Sequence, residues 1–370
     1  MSIDARATQL VTRSKVRNGI RIKDAPGGAA DARSPGTKKR AKSAAPIDPD
    51  KPFKTIENEK HAECKSRIFV GDCREVLKQL PEAQNSKVDL IFADPPFNWN
   101  RAYDQWNDAL PEDQYLLFTY DWINACVKAL RPGGSLWINI PDDWAAEIVC
   151  FLKGRATHPM THEAYRPAAP MTMQNWCIWH YRFGQNTTER FINSKVHALW
   201  FTKEGGERTW DPRDILELSD RAAIYGDART LSKKDGMPAG RRVPMDVWYG
   251  QYFGRVQGNS KERRNYHDNQ LPEAYLERVV SATSRAGDLV LDPFLGSGTT
   301  GVLAHALGRN FIGIEFSPDN AKNAAARIAH GPVRLGANKD ASTAIFKKRA
   351  TRSSKKIAET IAAIADADER

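Results

Sequence analysis

The segment Val88-Asp89-Leu90-Ile91-Phe92-Ala93-Asp94-Pro95-Pro96-Phe97 predicts a strand that ends in a rigid turn. Residues 88–93 are mostly apolar and rich in branched and aromatic side chains, which is typical of a buried strand. The two prolines prevent both the strand and any helix from continuing. A carboxylate and an aromatic ring are therefore fixed together at the carboxyl end of a strand, where open α/β sheets bind ligands.

The turn Asp94-Pro95-Pro96-Phe97 suits an exocyclic amino group of a nucleobase. Such a nitrogen is a poor nucleophile, because its lone pair is delocalised into the ring. The Asp94 carboxylate and the Pro95 carbonyl can both accept its N–H bonds, which favours a tetrahedral nitrogen. The Phe97 ring can stack on a base that has left the duplex. An ordinary turn at a strand exit has the same composition, so the turn alone leaves both interpretations open.

Size and charge limit the class of protein. The 370 residues, 41% of them hydrophobic, allow one large α/β domain with an insert, or two domains. A net charge of +10 favours an acidic partner such as nucleic acid. The five scattered cysteines indicate a reducing compartment and no metal site. Because no apolar run approaches the length of a membrane span, we expect a soluble, cytoplasmic protein without a membrane partner.

Both ends of the chain are polar and basic. Residues 1–55 predict a disordered basic arm with its charge concentrated at residues 38–42, and residues 331–370 predict a basic tail with a short Ala-rich helix over residues 357–365. Contact with phosphates and simple solvation are both compatible with this composition.

Between these ends, strands and helices alternate. Residues 68–70 predict a strand that stops at Gly71-Asp72-Cys73, before a helix. A helix that begins at Pro111 joins the strand at residues 88–93 to another at 135–140, and this βαβ unit makes the two strands parallel. Further strands are predicted over residues 175–183, 196–202, 289–291 and 311–314. The polar loop 98–108 fits either a lid or a surface loop.

Regular periodicity fades between residues 205 and 261. Basic residues come first and an aromatic cluster follows: Arg229, Lys233, Lys234, Arg241, Arg242, Trp248, Tyr249, Tyr252 and Phe253. Such a mixture suits contact with a phosphate backbone and with bases. A loop-rich subdomain with its own small aromatic core is the alternative, and the two interpretations are compatible.

A glycine-rich loop follows the strand at residues 289–291 and begins at Asp292. Gly296 and Gly298 remove side chains where a ligand passes close to the backbone. Glu315, about 20 residues further on, can bind both hydroxyls of a ribose. A dinucleotide site is the alternative, but the third glycine is missing and Asp292 would repel a pyrophosphate. An acid at this position suits a cation with a free amino group, which favours S-adenosylmethionine.

These residues resemble the DNA amino-methyltransferases, the enzymes that methylate adenine N6 or cytosine N4. The resemblance covers about residues 68–327 and is carried by Asp94-Pro95-Pro96-Phe97, the loop 292–300 and Glu315. Gly71-Asp72-Cys73 and residues 267–272 are weaker matches. Because the catalytic motif precedes the cofactor loop, the order resembles the circularly permuted β group.

The resemblance implies an α/β, Rossmann-like S-adenosylmethionine-dependent methyltransferase fold, circularly permuted, with a seven-stranded, mostly parallel sheet in an α/β/α sandwich. It divides the chain into the arm 1–55, a catalytic half 56–204, a target-recognition insert 205–262, a cofactor-binding half 263–330 and the tail 331–370.

The resemblance also implies roles for single residues. Asp94, Pro95, Pro96 and Phe97 would be catalytic. Asp292, Gly296 and Thr299 would line the methionine part of the cofactor, Glu315 its ribose, and Asp72 with Cys73 its adenine. The full set implied for the cofactor is Asp72, Cys73, Asp94, His267, Asn269, Gln270, Asp292, Phe294, Gly296, Ser297, Gly298, Thr299 and Glu315. Many relatives carry lysine where this chain has Leu271, which leaves His267, Asn269 or Gln270 for the carboxylate, and many adenine methylators carry tyrosine at the position of Phe97.

The expected activity is site-specific methylation of adenine N6 in double-stranded DNA by base flipping, without a metal. An acid at the first position of the catalytic motif favours adenine in this family, with cytosine N4 as the alternative. RNA methylation and a nucleic-acid-binding protein without chemistry are further alternatives, although the intact Asp94 and glycine loop disfavour the last. The resemblance implies a homodimer and leaves a cognate restriction endonuclease open as a partner.

Overall fold

The computed structural model of the protein describes residues 47–101, 106–181, 184, 186–223, 225–230, 238–250, 252–267 and 269–336. The predicted basic block 38–42, most of the predicted arm and the predicted helix 357–365 lie outside the described residues, as do Lys233 and Lys234.

Strands and helices alternate along most of the chain. The strands are β1 (Lys54–Glu57), β2 (Lys65–Val70), β3 (Val88–Ala93), β4 (Leu130–Ile140), β5 (Ala156–Thr157), β6 (Ala164–Tyr165), β7 (Met171–His180), β8 (Lys195–Lys203), β9 (Glu217–Leu218), β10 (Arg241–Arg242), β11 (Val247–Trp248), β12 (Leu289–Asp292) and β13 (Asn310–Glu315). The helices are α1 (Cys73–Leu77), α2 (Pro81–Gln84), α3 (Glu112–Ala129), α4 (Asp142–Leu152), α5 (Asp220–Ala223), α6 (Glu273–Thr283), α7 (Thr299–Ala306) and α8 (Pro318–His330). Within the described stretches, no helix has the length and apolarity that a bilayer crossing requires.

One large sheet organises the fold, with the strand order β1-β2-β13-β12-β3-β4-β8-β7-β11. The strands β2, β13, β12, β3 and β4 are mutually parallel. β8 is antiparallel to both of its neighbours, so β7 again points in the direction of the parallel strands. The predicted α/β class with a mostly parallel sheet is confirmed, including the parallel pairing of the strands that flank α3.

The sheet has nine strands rather than the predicted seven, because short strands extend both edges. β1 pairs with β2, and β11 adds two residues beside β7. In β1 only Ile56 is buried, so its sequence carries no recognisable alternation. The predicted arm 1–55 therefore ends too late, since β1 begins at Lys54.

Alternate side chains of β3 enter two cores, one on each face of the sheet. Ile91 packs in the core that contains Trp122 of α3. Phe92 points to the opposite face and meets Tyr275 of α6 edge-on, with 5.7 Å between the ring centroids. Helices therefore cover both faces, which explains why β3 is apolar along nearly its whole length and confirms the predicted α/β/α sandwich.

The stretch 205–262 contributes to this core. Trp248 and Phe253 are 5% and 0% exposed, and Trp248 packs on Tyr275 with 5.2 Å between ring centroids. The guanidinium of Arg278 lies over both rings, 5.5 Å from the centroid of Trp248 and 4.6 Å from that of Phe253. Arg242 forms ion pairs with Glu217 and Asp220. For these aromatic residues the structure favours the core interpretation that the sequence left open.

A buried ion pair fixes α8 to α6. Glu273 and Arg327 have side chains that are 0% and 1% exposed, with 3.1 Å between Oε1 and Nη2. Glu273 also accepts hydrogen bonds from the backbone N–H groups of Val333 and Arg334. Arg327 donates to the backbone oxygen of Ser297. One charge pair thus holds two helices, the chain beyond α8 and the loop before α7.

We predict that Glu273→Leu lowers the free energy of unfolding by about 3–5 kcal/mol, because it leaves the Arg327 charge buried without its partner. The double variant Glu273→Leu/Arg327→Met should recover most of that loss, since it removes both charges. Denaturant unfolding of the three proteins measures the difference.

The exposed variant Asp211→Asn is the matched control. It breaks the Arg213–Asp211 pair, in which Arg213 is 83% exposed, and should cost less than about 1 kcal/mol. A double variant as unstable as Glu273→Leu would contradict the role given to the charge pair.

Candidate active site

The carboxyl ends of the parallel strands gather four acidic residues at one edge of the sheet. The pairing of Leu291 with Ile91 aligns β12 with β3, so Asp292 and Asp94 lie at the ends of neighbouring strands. Glu315 pairs with Val70 at the ends of β13 and β2, and Asp72 follows two residues later. The sequence predicted these acids from their positions at strand ends, and the structure brings all four together.

Two helices hold the turn after β3. The Tyr115 hydroxyl on α3 donates to the Pro96 carbonyl at 2.7 Å, and Nε1 of Trp144 on α4 donates to the Phe97 carbonyl at 2.9 Å. Among the described residues, no backbone N–H group outside the helices and strands donates a hydrogen bond to the Pro95 carbonyl. The turn is therefore rigid, and it leaves available the backbone oxygen that the sequence analysis assigned to an amino group.

A buried relay orients the Asp94 carboxylate from behind. Nδ2 of Asn139, on β4, donates to Oδ1 of Asp94 at 2.8 Å. The Tyr275 hydroxyl, on α6, donates to Oδ1 of Asn139 at 3.2 Å. Asn139 and Tyr275 are 1% and 0% exposed. This fixes the amide orientation, so that Asn139 presents its NH₂ group to Asp94.

The two neighbouring carboxyl groups have raised pKa values. Burial raises the pKa of Asp94 to about 7, with a further increase from the charge of Asp292, while the hydrogen bond from Asn139 opposes the shift. Burial likewise raises the pKa of Asp292 to about 7, opposed by hydrogen bonds from Thr300 and from the backbone of Phe294. A cation bound beside these groups would favour their ionised forms.

The loop between β12 and α7 forms a concave surface that has no room for side chains at its glycines. Gly296 has φ +48°, and a Cβ there would lie 2.9 Å from Nε2 of His267. Gly298 has φ +79°, and a Cβ there would lie 3.0 Å from the Cβ of Ala324. Both positions require glycine, for conformation as well as for space.

Glu315 supports the same loop. Its carboxylate accepts hydrogen bonds from the backbone N–H groups of Gly296, at 2.8 Å, and of Ser317, at 3.0 Å. A carboxylate that accepts two N–H bonds is held in place and keeps lone pairs for hydroxyl donors. Glu315 lines the cavity beside this loop, and its role at a ribose stays a prediction.

Asp72 and Cys73 lie at the end of β2. Asp72 caps α1 by accepting from the backbone of Arg74, and its carboxylate is 2.6 Å from the Arg74 guanidinium. Burial opposes ionisation of Asp72, but the hydrogen bonds and the charge of Arg74 outweigh it and lower the pKa of Asp72. Burial raises the pKa of the Cys73 thiol, which makes Cys73 an apolar wall rather than a nucleophile.

A cavity at the sheet edge collects most of the predicted residues. Those that line it are Asp72, Cys73, Asp94, Pro95, Pro96, Phe97, His267, Asn269, Asp292, Phe294, Gly296, Ser297, Thr299 and Glu315. It combines four carboxylates with apolar side chains and the backbone of the glycine loop. A cationic ligand that also carries an amino group, a ribose and an aromatic ring fits these hydrogen-bond acceptors and apolar walls.

Two predicted cofactor residues have other contacts. Gln270 is bonded through its side chain to the segment before it, donating to the Glu262 carbonyl at 2.7 Å and accepting from the backbone of Arg264 at 3.0 Å. Gly298 caps α7 and faces Ala324. Neither residue is among those that line the larger cavity. The Gln270 amide is satisfied within the protein and so has less capacity left for a ligand.

A second, smaller cavity adjoins the first and shares Asp94, Phe97, Asn269 and Leu271 with it. Its other walls are Trp99, Asn139, Trp179, Tyr181, Val196, Arg255, Val256, Gln257 and Gln270. The Arg255 guanidinium lies over the Tyr181 ring, 5.3 Å from its centroid. Asp94 therefore lines both a cavity rich in acidic residues and one rich in aromatic residues.

The loop 98–108 takes part in both cavities through its described residues. Trp99 lines the smaller cavity and Trp106 the larger one. Asp108, 2% exposed, accepts hydrogen bonds from the backbone N–H groups of Asn98, Trp99 and Arg101. The loop thus forms part of the wall and is organised by one buried carboxylate.

Several residues of the site were missed by the sequence analysis. Asn139, Tyr275 and Arg327 act on it from separate elements, and no local motif marks them. Phe316, 43% exposed, lines the larger cavity directly after Glu315. Its position at a strand end beside a predicted acid was the one signal that could have identified it.

Known proteins resemble this chain along about two thirds of its length. The family model described as DNA methylase, of the N6/N4 type, matches residues 88–326. The DNA adenine methyltransferase YhdJ of Escherichia coli (strain K12) is 32% identical over 266 residues, covering 70% of this chain and 82% of YhdJ. The type II methyltransferase M.BamHI of Bacillus amyloliquefaciens is 31% identical over 261 residues, covering 68% of this chain but only 54% of M.BamHI.

A solved structure shares the fold. The cytosine-N4-specific PvuII DNA methyltransferase superposes with a TM-score of 0.53, covering 85% of this chain and 95% of that protein at 16% identity. The predicted Rossmann-like methyltransferase fold is thereby confirmed, while the circular permutation stays a prediction. The relatives named here include both an adenine and a cytosine enzyme.

We predict that Asn139→Ala raises the pKa of Asp94 above its value of about 7, by about one pH unit or more, because the hydrogen bond from Asn139 stabilises the ionised form. Asn139→Asp should raise it further by placing a second carboxyl group beside it. Carbon-13 NMR of aspartate-labelled protein measures the titration, and the Asp94→Asn spectrum assigns the signal.

The control is Asn124→Ala. Asn124 lies on α3 and accepts from the backbone of Ala168, so its loss should leave the Asp94 titration unchanged. A pKa of Asp94 that is unaffected in both Asn139 variants would contradict the relay.

Proposed function

This chain belongs to the N6/N4 family of DNA methylases, and from that premise we propose that it transfers a methyl group from S-adenosylmethionine to N6 of adenine in duplex DNA. Methyl transfer to an exocyclic amino group of DNA is the family's activity, and the family depends on S-adenosylmethionine. The choice of adenine, the residue roles and the order of events are the proposal.

The observation that carries the proposal is the position of Asp94 between the two cavities. It forms part of the wall of both, together with Phe97. A base amino group that enters from the aromatic cavity would meet Asp94 on its way to the larger cavity. This arrangement supports a transfer between two ligands that contact each other at one residue.

The larger cavity fits S-adenosylmethionine by its chemistry. Asp292 would face its positively charged part, Glu315 would accept from its ribose, and the loop at Gly296 has no side chain to obstruct it. Asp72, bound by Arg74, would lie at the adenine end. When bound, S-adenosylmethionine would supply a methyl group on a positively charged sulfur, which becomes a neutral thioether, a good leaving group, when the methyl–sulfur bond breaks.

The residues of the turn would prepare the amino group for attack. Asp94, oriented by Asn139, accepts one N–H bond, and the Pro95 carbonyl accepts the other. Both contacts draw the nitrogen toward a tetrahedral geometry and restore its lone pair. Phe97 and the walls of the smaller cavity hold the ring and exclude water. With a pKa near 7, Asp94 can also receive the proton that the amino group releases.

Adenine is proposed on the acid at the first position of the turn, Asp94, and on the adenine enzyme among the relatives. Cytosine presents an amino group of the same kind, so the same mechanism would methylate its N4 atom. A homodimer and a cognate restriction endonuclease remain predictions.

The test of the proposal is a methylation assay on unmethylated genomic DNA with S-adenosylmethionine, followed by digestion to nucleosides and mass spectrometry. We expect N6-methyladenine. N4-methylcytosine would keep the mechanism and overturn the choice of base. If the cofactor binds but neither nucleoside forms, the proposed DNA substrate is wrong.

We further predict that Asp94→Ala lowers transfer by at least about a thousandfold while the protein still binds S-adenosylmethionine, because the variant loses the acceptor for the amino group but keeps the larger cavity. Single-turnover rates and calorimetric titration measure the two effects separately.

The control for this prediction is Asp211→Ala. Asp211 forms an ion pair with Arg213, which is 83% exposed, and neither residue lines the two cavities. It should retain most of the transfer rate. Substantial turnover in Asp94→Ala would rule out the proposed role of the carboxylate.

A further inference from the structure

We propose that Phe191, in the connection between β7 and β8, inserts into duplex DNA and occupies the space that the target base vacates. The inference rests on the proposed function and names the element that opens the duplex. It concerns a part of the chain outside both cavities.

The topology brings this connection to the active-site edge. β7 runs in the same direction as β3 and β4, so the chain leaves β7 at His180 on the edge where Asp94 lies. It returns at Lys195, whose side chain forms an ion pair with Asp142 at the start of α4. Both ends of the connection are therefore beside the site.

Contacts at the base close the connection into a finger. The Tyr181 backbone N–H donates to the Ser194 carbonyl at 3.0 Å. A Cβ at Gly184 would lie 2.3 Å from Cγ2 of Ile192 and 2.5 Å from the Asn193 carbonyl oxygen, so the two arms of the finger touch at a glycine. Tyr181 also lines the smaller cavity. One end of the finger is thus a wall of that cavity.

The returning half of the connection presents an apolar surface beside a basic residue. Phe191 is 96% exposed, the highest value among the large apolar side chains that the structure describes, and Ile192 is 45% exposed. Arg190 is exposed beside them, with the acidic Glu189 preceding it. An exposed aromatic ring next to an arginine suits a partner with stacked apolar rings inside and phosphates outside.

Duplex DNA is the partner that matches this combination. Extruding a base leaves a gap in the stack, and that gap costs free energy until it is filled. Apolar side chains such as phenylalanine insert between base steps in other DNA-binding proteins. A finger that begins in the wall of the smaller cavity and carries the exposed Phe191 ring could fill the gap while the base occupies the cavity.

The experiment compares two duplexes that carry the recognition site found by mapping methylated genomic DNA. One is fully matched, and in the other the target adenine faces a mismatched base, so that it leaves the stack more easily. The single-turnover rate constant of methylation is measured for the wild type, Phe191→Ala and Phe191→Trp. Fluorescence of 2-aminopurine at the target position reports the opening of the base directly.

For Phe191→Ala we expect a loss of roughly tenfold or more on the matched duplex, with a loss of less than about threefold on the mismatched one, because the mismatch supplies the opening energy that the side chain no longer provides. Phe191→Trp should stay close to the wild type. The 2-aminopurine signal should fall in Phe191→Ala on the matched duplex.

Met160→Ala is the control for removing an exposed apolar side chain. Met160 is 56% exposed and lies between α4 and β7, at the opposite edge of the sheet. It should leave both rates unchanged.

Two results would overturn the inference and leave the proposed function intact: an unchanged rate for Phe191→Ala on the matched duplex, or an equal loss on both duplexes, which would indicate an ordinary contact. A wild type that methylates no DNA would overturn the proposed function, and this inference with it.

Discussion

The parallel pairing of β3 with β12 is the constraint on which the site depends. It joins segments that are 200 residues apart, with Val290 opposite Leu90 and a hydrogen bond from the Leu289 backbone to Asp89. Because both strands end in an acid, the pairing places Asp94 and Asp292 side by side in a buried setting. Neither carboxyl ionises easily there, and each has a pKa of about 7. A cation bound at this edge of the sheet would therefore stabilise the ionised forms of both carboxyl groups.

The effect of such a cation on Asp94 would couple the two cavities, because Asp94 lines both of them. A cation near Asp292 would favour ionisation of Asp292 and, through their shared field, of Asp94. Ionised Asp94 is the form that accepts hydrogen bonds from an amino group. A cation bound in the larger cavity would thus ionise Asp94, which also lines the smaller cavity. The hydrogen bonds from Tyr275 to Asn139 and from Asn139 to Asp94 also favour ionised Asp94. They need little further ordering of these side chains, because Asn139 and Tyr275 are already buried.

Local sequence patterns predicted those parts of the fold and site that lie within one strand–turn–helix unit. The turn after β3 and the loop after β12 combine an apolar run, a chain-breaking turn and a helix start, so their places at the sheet edge could be inferred. Asn139 and Tyr275 could not, since they are 136 residues apart and meet only when α6 packs on the sheet. Arg327 reads as an ordinary basic residue of α8 until its ion pair with Glu273 is seen.

Trp248 and Phe253 show a different limit of sequence analysis. In the sequence they follow a basic stretch, which suggests a surface for nucleic acid, but Trp248 lies on β11 and both rings fill the core around Tyr275. Composition cannot distinguish a ring that stacks on a base from one that stacks on a neighbour, because the same chemistry serves both. Only the packing of α6 beneath them decides between these roles.

The reversed strand β8 has a consequence for access to the site. In a sheet of parallel strands alone, each strand would contribute one exit to the active-site edge, and every return would cross to the other side. Since β8 is antiparallel to both neighbours, the chain turns at that edge between β7 and β8 and enters β8 directly, without crossing a face of the sheet. The reversal thus adds a closed finger, which is not constrained by a crossover helix and is free to vary in length. A finger of this kind can reach away from the sheet while its base remains part of the cavity wall, and that is what contact with a partner much larger than the cavity requires.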